Sequence, residues 1–287
     1  MEPIKNRYEF VVLFDVENGN PNGDPDAGNM PRVDPETAHG IVTDVCLKRK
    51  IRNFVELTQD DKSKYNILIK ADKALNSKFT AAYEALDLAK GKKGANTDDV
   101  EKAKAFICAN YFDVRTFGAV MSTGDDQCGT VRGPVQINFA RSINPVFIQD
   151  ITITRQAKTT VDRKAVGDTE MGKKSLLPYA LYRAEGFVSA MIAQKVTGFS
   201  EEDLEILWTA IINMFEHDRS AARGKMCVRK LYVFKHDSEI GNAPAQVLFE
   251  KINIKVSDDV SVPRHFSDYE ISVDSQMPNG VTLIEKL

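Results

Sequence analysis

Tyr8-Glu9-Phe10-Val11-Val12-Leu13-Phe14-Asp15-Val16, running into Glu17-Asn18-Gly19-Asn20-Pro21-Asn22-Gly23-Asp24-Pro25-Asp26-Ala27-Gly28-Asn29, sets the plan of the chain. The first nine residues are aromatic, β-branched and mostly apolar, which predicts a strand in the middle of a sheet. The next thirteen hold three Gly and two Pro among Asn and Asp, a composition that ends regular structure. So long a loop beside a central strand is either functional or solvated surface. In the functional reading its bare backbone forms a rim able to approach a polyanion closely.

Downstream, Asp34 and Pro35 read as the N-cap and first position of a helix over 35–54. On it Ala38, Val42, Val45, Arg49 and Arg52 share a stripe that begins apolar and ends cationic, with Lys48 alongside. These cations are either phosphate contacts or charges favoured by a helix C-terminus. Residues 57–112 change character. Leu75, Phe79, Ala82, Tyr83 and Leu86 keep a helical period, Lys92 and Lys93 lie in a Gly-rich basic loop, and 98–110 reads as a further helix, so the block is expected to be a helical insertion. Arg115 sits among apolar residues and needs a carboxylate or phosphate partner, with Asp113 the nearest carboxylate in sequence.

Val135-Gln136-Ile137-Asn138-Phe139 alternates as a half-buried strand. In 148–177, Ile151-Thr152-Ile153-Thr154-Arg155 also alternates, and large apolar residues become scarce beyond it. Six cations (Arg155, Lys158, Arg163, Lys164, Lys173, Lys174) there outnumber four acids. This predicts a protruding basic hairpin, or a mobile surface loop, with Met171 free to wedge against bases. Tyr179–Val188 is a further strand. Ser200-Glu201-Glu202-Asp203 is a capping signature for a helix carrying Leu204, Leu207, Trp208, Ile211 and Phe215 on its apolar face, with Trp208 in the core. Strand 227–235 follows, and the tail from Ile252 supplies short strands to cover an edge. Without the insertions the order is strand, helix, strand, strand, helix, strand. That is an α+β, ferredoxin-like (RRM-like) plan in one domain over 1–287.

Composition narrows the function. The chain has 287 residues, 43% of them hydrophobic, and a net charge of −3, so any nucleic-acid surface has to come from a local gathering of cations. The N-terminus lacks the apolar stretch of a secretory signal, and no run of about 18 apolar residues predicts a membrane span. Cys46, Cys108, Cys128 and Cys227 form no CxxC pair, as in a reduced, cytoplasmic protein without a zinc site. The four His show no ligand spacing, and neither a catalytic triad nor a phosphate-binding glycine loop is present. Asn18–Gly23 imitates the start of a calcium loop, but the leading Asp and closing Glu are missing and Pro21 intrudes. No cofactor is expected.

Three features together resemble one family: Phe14-Asp15-Val16-Glu17-Asn18-Gly19-Asn20-Pro21-Asn22-Gly23-Asp24; Asp113-Val114-Arg115-Thr116-Phe117-Gly118 with Gly133-Pro134-Val135-Gln136; and the order of the insertions. It is the CRISPR-associated backbone subunit of Cascade, most closely its type I-C form. The resemblance implies a palm with a helical finger insertion and a β-hairpin thumb. It implies copies stacked head to tail along a CRISPR RNA, thumbs displacing bases at intervals, and a guide left open to pair with a target DNA strand beside the other Cascade subunits. It implies RNA binding without catalysis, with contacts at Asn18, Asn20, Arg32, Lys48, Arg49, Arg52, Arg115, Lys158, Met171 and Lys173. A second reading is a metal-dependent ribonuclease using Asp24, Asp26 or Asp34, because related type III subunits cut RNA with an Asp in the corresponding loop. A third is a scaffold that binds no nucleic acid.

Overall fold

The computed structural model describes residues 2–71, 74–88, 97–155 and 170–287, and only the backbone of Arg155, Glu170 and Met171. Its strands are β1 (Tyr8–Gly19), β2 (Gly23–Asp24), β3 (Met30–Pro31), β4 (His39–Val42), β5 (Gly118–Met121), β6 (Gly129–Arg132), β7 (Val135–Ile137), β8 (Ala140–Pro145), β9 (Gln149–Arg155), β10 (Glu170–Val188), β11 (Lys225–His236), β12 (Ile252–Val256), β13 (Tyr269–Val273) and β14 (Val281–Glu285). The helices are α1 (Asp44–Thr58), α2 (Leu75–Ala85), α3 (Thr97–Asn110), α4 (Phe112–Phe117), α5 (Ala190–Ile192), α6 (Glu201–Asn213) and α7 (Ala245–Phe249).

β1 lies in the middle of an antiparallel sheet ordered β14-β11-β1-β10-β8-β4, with β7 and β9 also paired to β10. Its near-continuous apolar run follows from burial on both faces. Successive side chains of a strand point to opposite sides. Phe10, Val12, Phe14 and Val16 therefore face a layer built from Leu47, Ile51 and Phe54 of α1 and Leu204, Leu207 and Trp208 of α6. Val11 and Leu13 face the other way, onto Leu248, Phe249, Ile252 and Tyr269. Trp208 sits edge-on to Phe10 with ring centroids 5.3 Å apart, in the core as its helical stripe predicts. Asp15 shares the second face and is buried, but it accepts from Tyr179 Oη at 2.9 Å and Arg229 Nε at 2.8 Å, so its charge is matched.

The block after α1 has a small core of its own. Phe79 and Tyr83 of α2, Ile107 and Cys108 of α3, and Met121 and Val131 of the β5–β6 hairpin pack together. The tail closes an edge: β14 pairs with β11, in register from Tyr232↔Glu285 to His236↔Val281. β10 is nineteen residues long because it serves two structures. From Leu177 onward it pairs with β1, and before that residues 170–176 leave the sheet to pair with β9.

One expectation fails. The segment 35–54 is not one helix. Asp34 instead closes a tight turn, its Oδ1 accepting from the N–H of Glu36 at 3.0 Å and of Thr37 at 3.4 Å. Ala38 turns into the left-handed region, φ 56°. The chain then adds edge strand β4 to β8, and the helix starts only at Asp44, capped by Thr43, whose Oγ1 accepts from Cys46 N–H at 3.3 Å. Residues 112–117, which contain both Asp113 and Arg115, form a short helix.

Candidate nucleic-acid interface

Three pieces of chain meet where β1 ends. The register Glu17↔Lys225 brings the start of β11 to that end, and Gly19↔Leu177 brings β10 there as it departs for its hairpin. Gly19 is required by this closeness: a Cβ there would lie 1.9 Å from the carbonyl oxygen of Arg223. The loop beyond is ordered by its own amides. Asn20 N–H donates to Ala222 O at 2.9 Å, and Asn20 Nδ2 to Asn29 O at 2.7 Å. Asn22 Oδ1 accepts from both the N–H and the Oγ1 of Thr43, each at 3.0 Å, tying the loop to the N-terminus of α1.

Between this loop, the first turns of α1, residues 69–71 and the turn 218–223 lies a groove of about 920 Å³. Six cationic side chains line it, Arg32, Arg49, Lys50, Arg52, Lys70 and Arg223, against two carboxylates, Asp44 and Asp218. The cations differ in how far the protein already neutralises them. Lys50 is buried, ion-paired to Asp218, and stands 5.7 Å from the Phe215 ring centroid. Arg223 reaches the other oxygen of Asp218 at 2.5 Å, and Lys70 bonds Glu56 at 2.7 Å. Arg32 lies 3.4 Å from Asp24. Arg52 gives only its Nε to Asp113, at 3.0 Å, while its guanidinium lies over the Phe117 ring. Arg49 is exposed and makes no ion pair among the described residues. Lys50, Lys70 and Arg223 were not singled out from the sequence. Arg223, in the Arg219–Gly224 turn, carries a basic signal, whereas Lys50 lies in a run of three cations that no local rule sorts into core and surface.

Of the residues expected to touch RNA, the groove gathers Asn20, Arg32, Arg49 and Arg52. Asn18, exposed and left-handed with φ 51°, ends β1 outside it. Lys48 does not line it either. Its Nζ bonds Asp44 at 2.9 Å and sits over the Phe117 ring, which it shares with Arg52. Arg115 requires a correction. It is 2% exposed and its charge is consumed internally. Asp203 takes Nε at 2.9 Å and Nη2 at 2.7 Å, Cys108 O and Ala109 O take Nη1, and Lys64 O takes a further bond from Nη2. The expected neighbour Asp113 serves Arg52 and the N–H groups of Leu68 and Ile69 instead.

Lys173 is exposed on the hairpin opposite Thr152, and Lys174 next to it donates to Ala221 O at 2.9 Å, fixing the hairpin base to the turn that rims the groove. Lys158, Lys92 and Lys93 lie outside the described residues, as does the side chain of Met171. The acidic residues of the loop do not converge. Asp24 caps the turn at Pro25–Ala27 and faces Arg32, Asp34 bonds Arg141 at 3.0 Å, and Asp26 is exposed. Among the described residues no group of three His, Cys, Asp or Glu is placed to hold a metal ion, and no helix is long and apolar enough to cross a membrane.

A family model described as CRISPR-associated protein Cas7 matches residues 6–274. The CRISPR-associated protein Cas7 of Haloferax volcanii is 28% identical over 261 residues, which cover 83% of this chain and 72% of that protein. A chain of a solved CRISPR RNA-guided surveillance complex, pre-nicking, has the same fold at 13% identity, with a TM-score of 0.51 over 79% of this chain and 78% of that one.

Proposed function

The chain belongs to the Cas7 family of CRISPR-associated proteins, and on that premise we propose that it is the CRISPR RNA-binding backbone subunit of a Cascade complex of the type I-C form. The observation that carries the proposal is the groove: an acidic chain concentrates Arg32, Arg49 and Arg52 beside the amide-rich loop, with Arg49 unneutralised by any acid among the described residues. Phosphate contacts of this kind hold a strand without reading its bases, as a coat for any guide requires. The guide then supplies the specificity by pairing with target DNA.

The sheet supports the palm reading. With β1, β7/β8, β10 and β11 counted as strands one to four, their spatial order is 4-1-3-2, and α1 and α6 cover the same face, as in a ferredoxin-like fold. On this reading 57–112 are the fingers and 148–177 the thumb. Lys158, Lys173 and Met171 reach over the strand to displace bases at intervals, and Asn18 and Asn20 approach it from the palm. Copies stack head to tail in the cytoplasm with the other Cascade subunits. The ribonuclease reading is disfavoured because Asp24 and Asp34 are held in separate local bonds and Asp26 is exposed.

The test is binding to single-stranded RNA over a salt series. Affinity should fall linearly in log–log form, with a slope of roughly −0.7 per neutralised phosphate. Salt-independent binding, or none, would refute the proposal. Cleavage of complementary RNA with magnesium, lost on Asp24→Ala or Asp34→Ala, would favour the nuclease.

A further inference from the structure

Phe139 is 54% exposed and lines two cavities at once. One is the cationic groove. The other, of about 620 Å³, is bounded by Asn138, Arg141, Glu185 and Asn253. The exposure has a cause in the backbone. Strict alternation from Val135 would place residues 135, 137 and 139 on one side of the sheet, so the sequence pattern predicts Phe139 beside Ile137 in the core. The pairing with β10 departs from that pattern. Gly186 opposes Ile137, but Arg183 opposes Arg141, so three steps along β10 are matched by four on the facing chain. The extra residue is a bulge, a device that re-aims a side chain. Beyond it Ala140 and Ser142 are buried, and Asn138 and Phe139 both face outward. Asn138 N–H donates to Glu185 O at 2.8 Å, so the bulged segment remains held to the sheet. An aromatic ring is thus turned into water at the edge of a groove that carries Arg32, Arg49 and Arg52, with the exposed Val45 along the same wall.

We infer that Phe139 is a stacking platform for one base of the RNA strand whose phosphates lie against Arg49 and Arg52. The inference rests on the RNA-binding reading above. Cations fix the backbone but leave the bases unplaced, and a flat ring at the rim gives one base a partner whatever its identity. The second cavity provides room for that base on the far side of the ring.

The test uses the full chain and a short single-stranded RNA carrying 2-aminopurine at successive positions. Wild type should quench the probe on binding. Phe139→Leu should remove that quenching and weaken binding about 5- to 100-fold. It should leave the salt slope unchanged, because no phosphate contact is lost, and Phe139→Tyr should behave as wild type. The residue is exposed, so the Leu variant should melt as wild type does. If wild type binds with a salt slope and Phe139→Leu binds equally well, the stacking inference alone falls. If wild type shows no salt-dependent binding, the RNA reading falls and takes this inference with it. If Phe139→Leu instead weakens self-association without RNA and leaves oligonucleotide affinity intact, the ring is a protein contact and the inference is overturned.

Discussion

Arg115 carries its charge into the interior because Asp203 meets it there with both oxygens. The same carboxylate accepts from the N–H and Oγ of Ser200 in the capping box of α6, so one pair joins the helical insertion to the helix layer of the sheet. Removing one member of a buried pair leaves the other uncompensated, at a cost of roughly 3–5 kcal/mol. Asp203→Ala should therefore lower the unfolding free energy by that amount, with RNA affinity per folded molecule unchanged, which urea denaturation and binding on the same preparation will check. The partner was hidden from sequence reasoning because it lies 88 residues away, while Asp113 was close at hand and is spent on Arg52 and two backbone N–H groups. The cysteines make a second residue-scale case. Burial pushes the Cys108 thiol up to about 11 and the Cys128 thiol up to about 12. A raised pKa keeps a thiol protonated below it, so at pH 8 neither should be alkylated by iodoacetamide in the folded protein, and both should be labelled in urea at the same pH. Mass spectrometry of the peptides reads this directly, and labelling of Cys128 in the native state would contradict its place in the insertion's core.

Among the elements, those fixed by neighbouring residues were legible and those fixed by distant pairing were not. α6 begins where the Ser200–Asp203 capping signature puts it, α2 follows its apolar period, and α3 occupies the expected 98–110 with one residue added at its start. The start of α1 was misplaced by nine residues because Asp34-Pro35 satisfies the local rule for a helix start. What overrides it is the pairing of His39–Val42 with β8, about a hundred residues on. Phe139 shows the same limit: its alternation is plain in the sequence, and the bulge that reverses it exists only in the register with β10. The true cap of α1 is testable. Thr43 Oγ1 accepts from Cys46 N–H and donates to Asn22 Oδ1, serving the helix and the loop together. Thr43→Ala should destabilise the protein by about 1 kcal/mol, and Thr43→Ser by much less. Asp34→Ala, by contrast, should leave the helical circular dichroism signal unchanged, since Asp34 caps no helix.

At the scale of the whole molecule, the question is whether a chain of net charge −3 presents one continuous cationic lane. The groove meets half of that requirement: Arg49 and Arg52 share it, and the bond from Lys174 to Ala221 sets the hairpin base on its rim. Losing two phosphate contacts from a single strand should make the salt slope shallower by about 1.4. Arg49→Ala combined with Arg52→Ala is the variant that reads this, and Lys48→Ala, outside the groove, should leave the slope as it was. Asp113 keeps two backbone donors when Arg52 is removed, so the double variant should still fold, which thermal denaturation checks. Stacking of copies makes a further demand. A head-to-tail array joins one patch of the surface to a different patch on the next copy, so nothing in the contact itself limits the number of copies. Under the proposed stacking, the length of the RNA sets the size of the assembly. Sedimentation velocity with RNAs of increasing length should give a ladder of species that grows with the strand, and the Arg49/Arg52 variant should reach each step only at higher protein concentration. A fixed dimer at every RNA length would mean a two-fold interface in which one patch meets itself, and that geometry cannot line a guide.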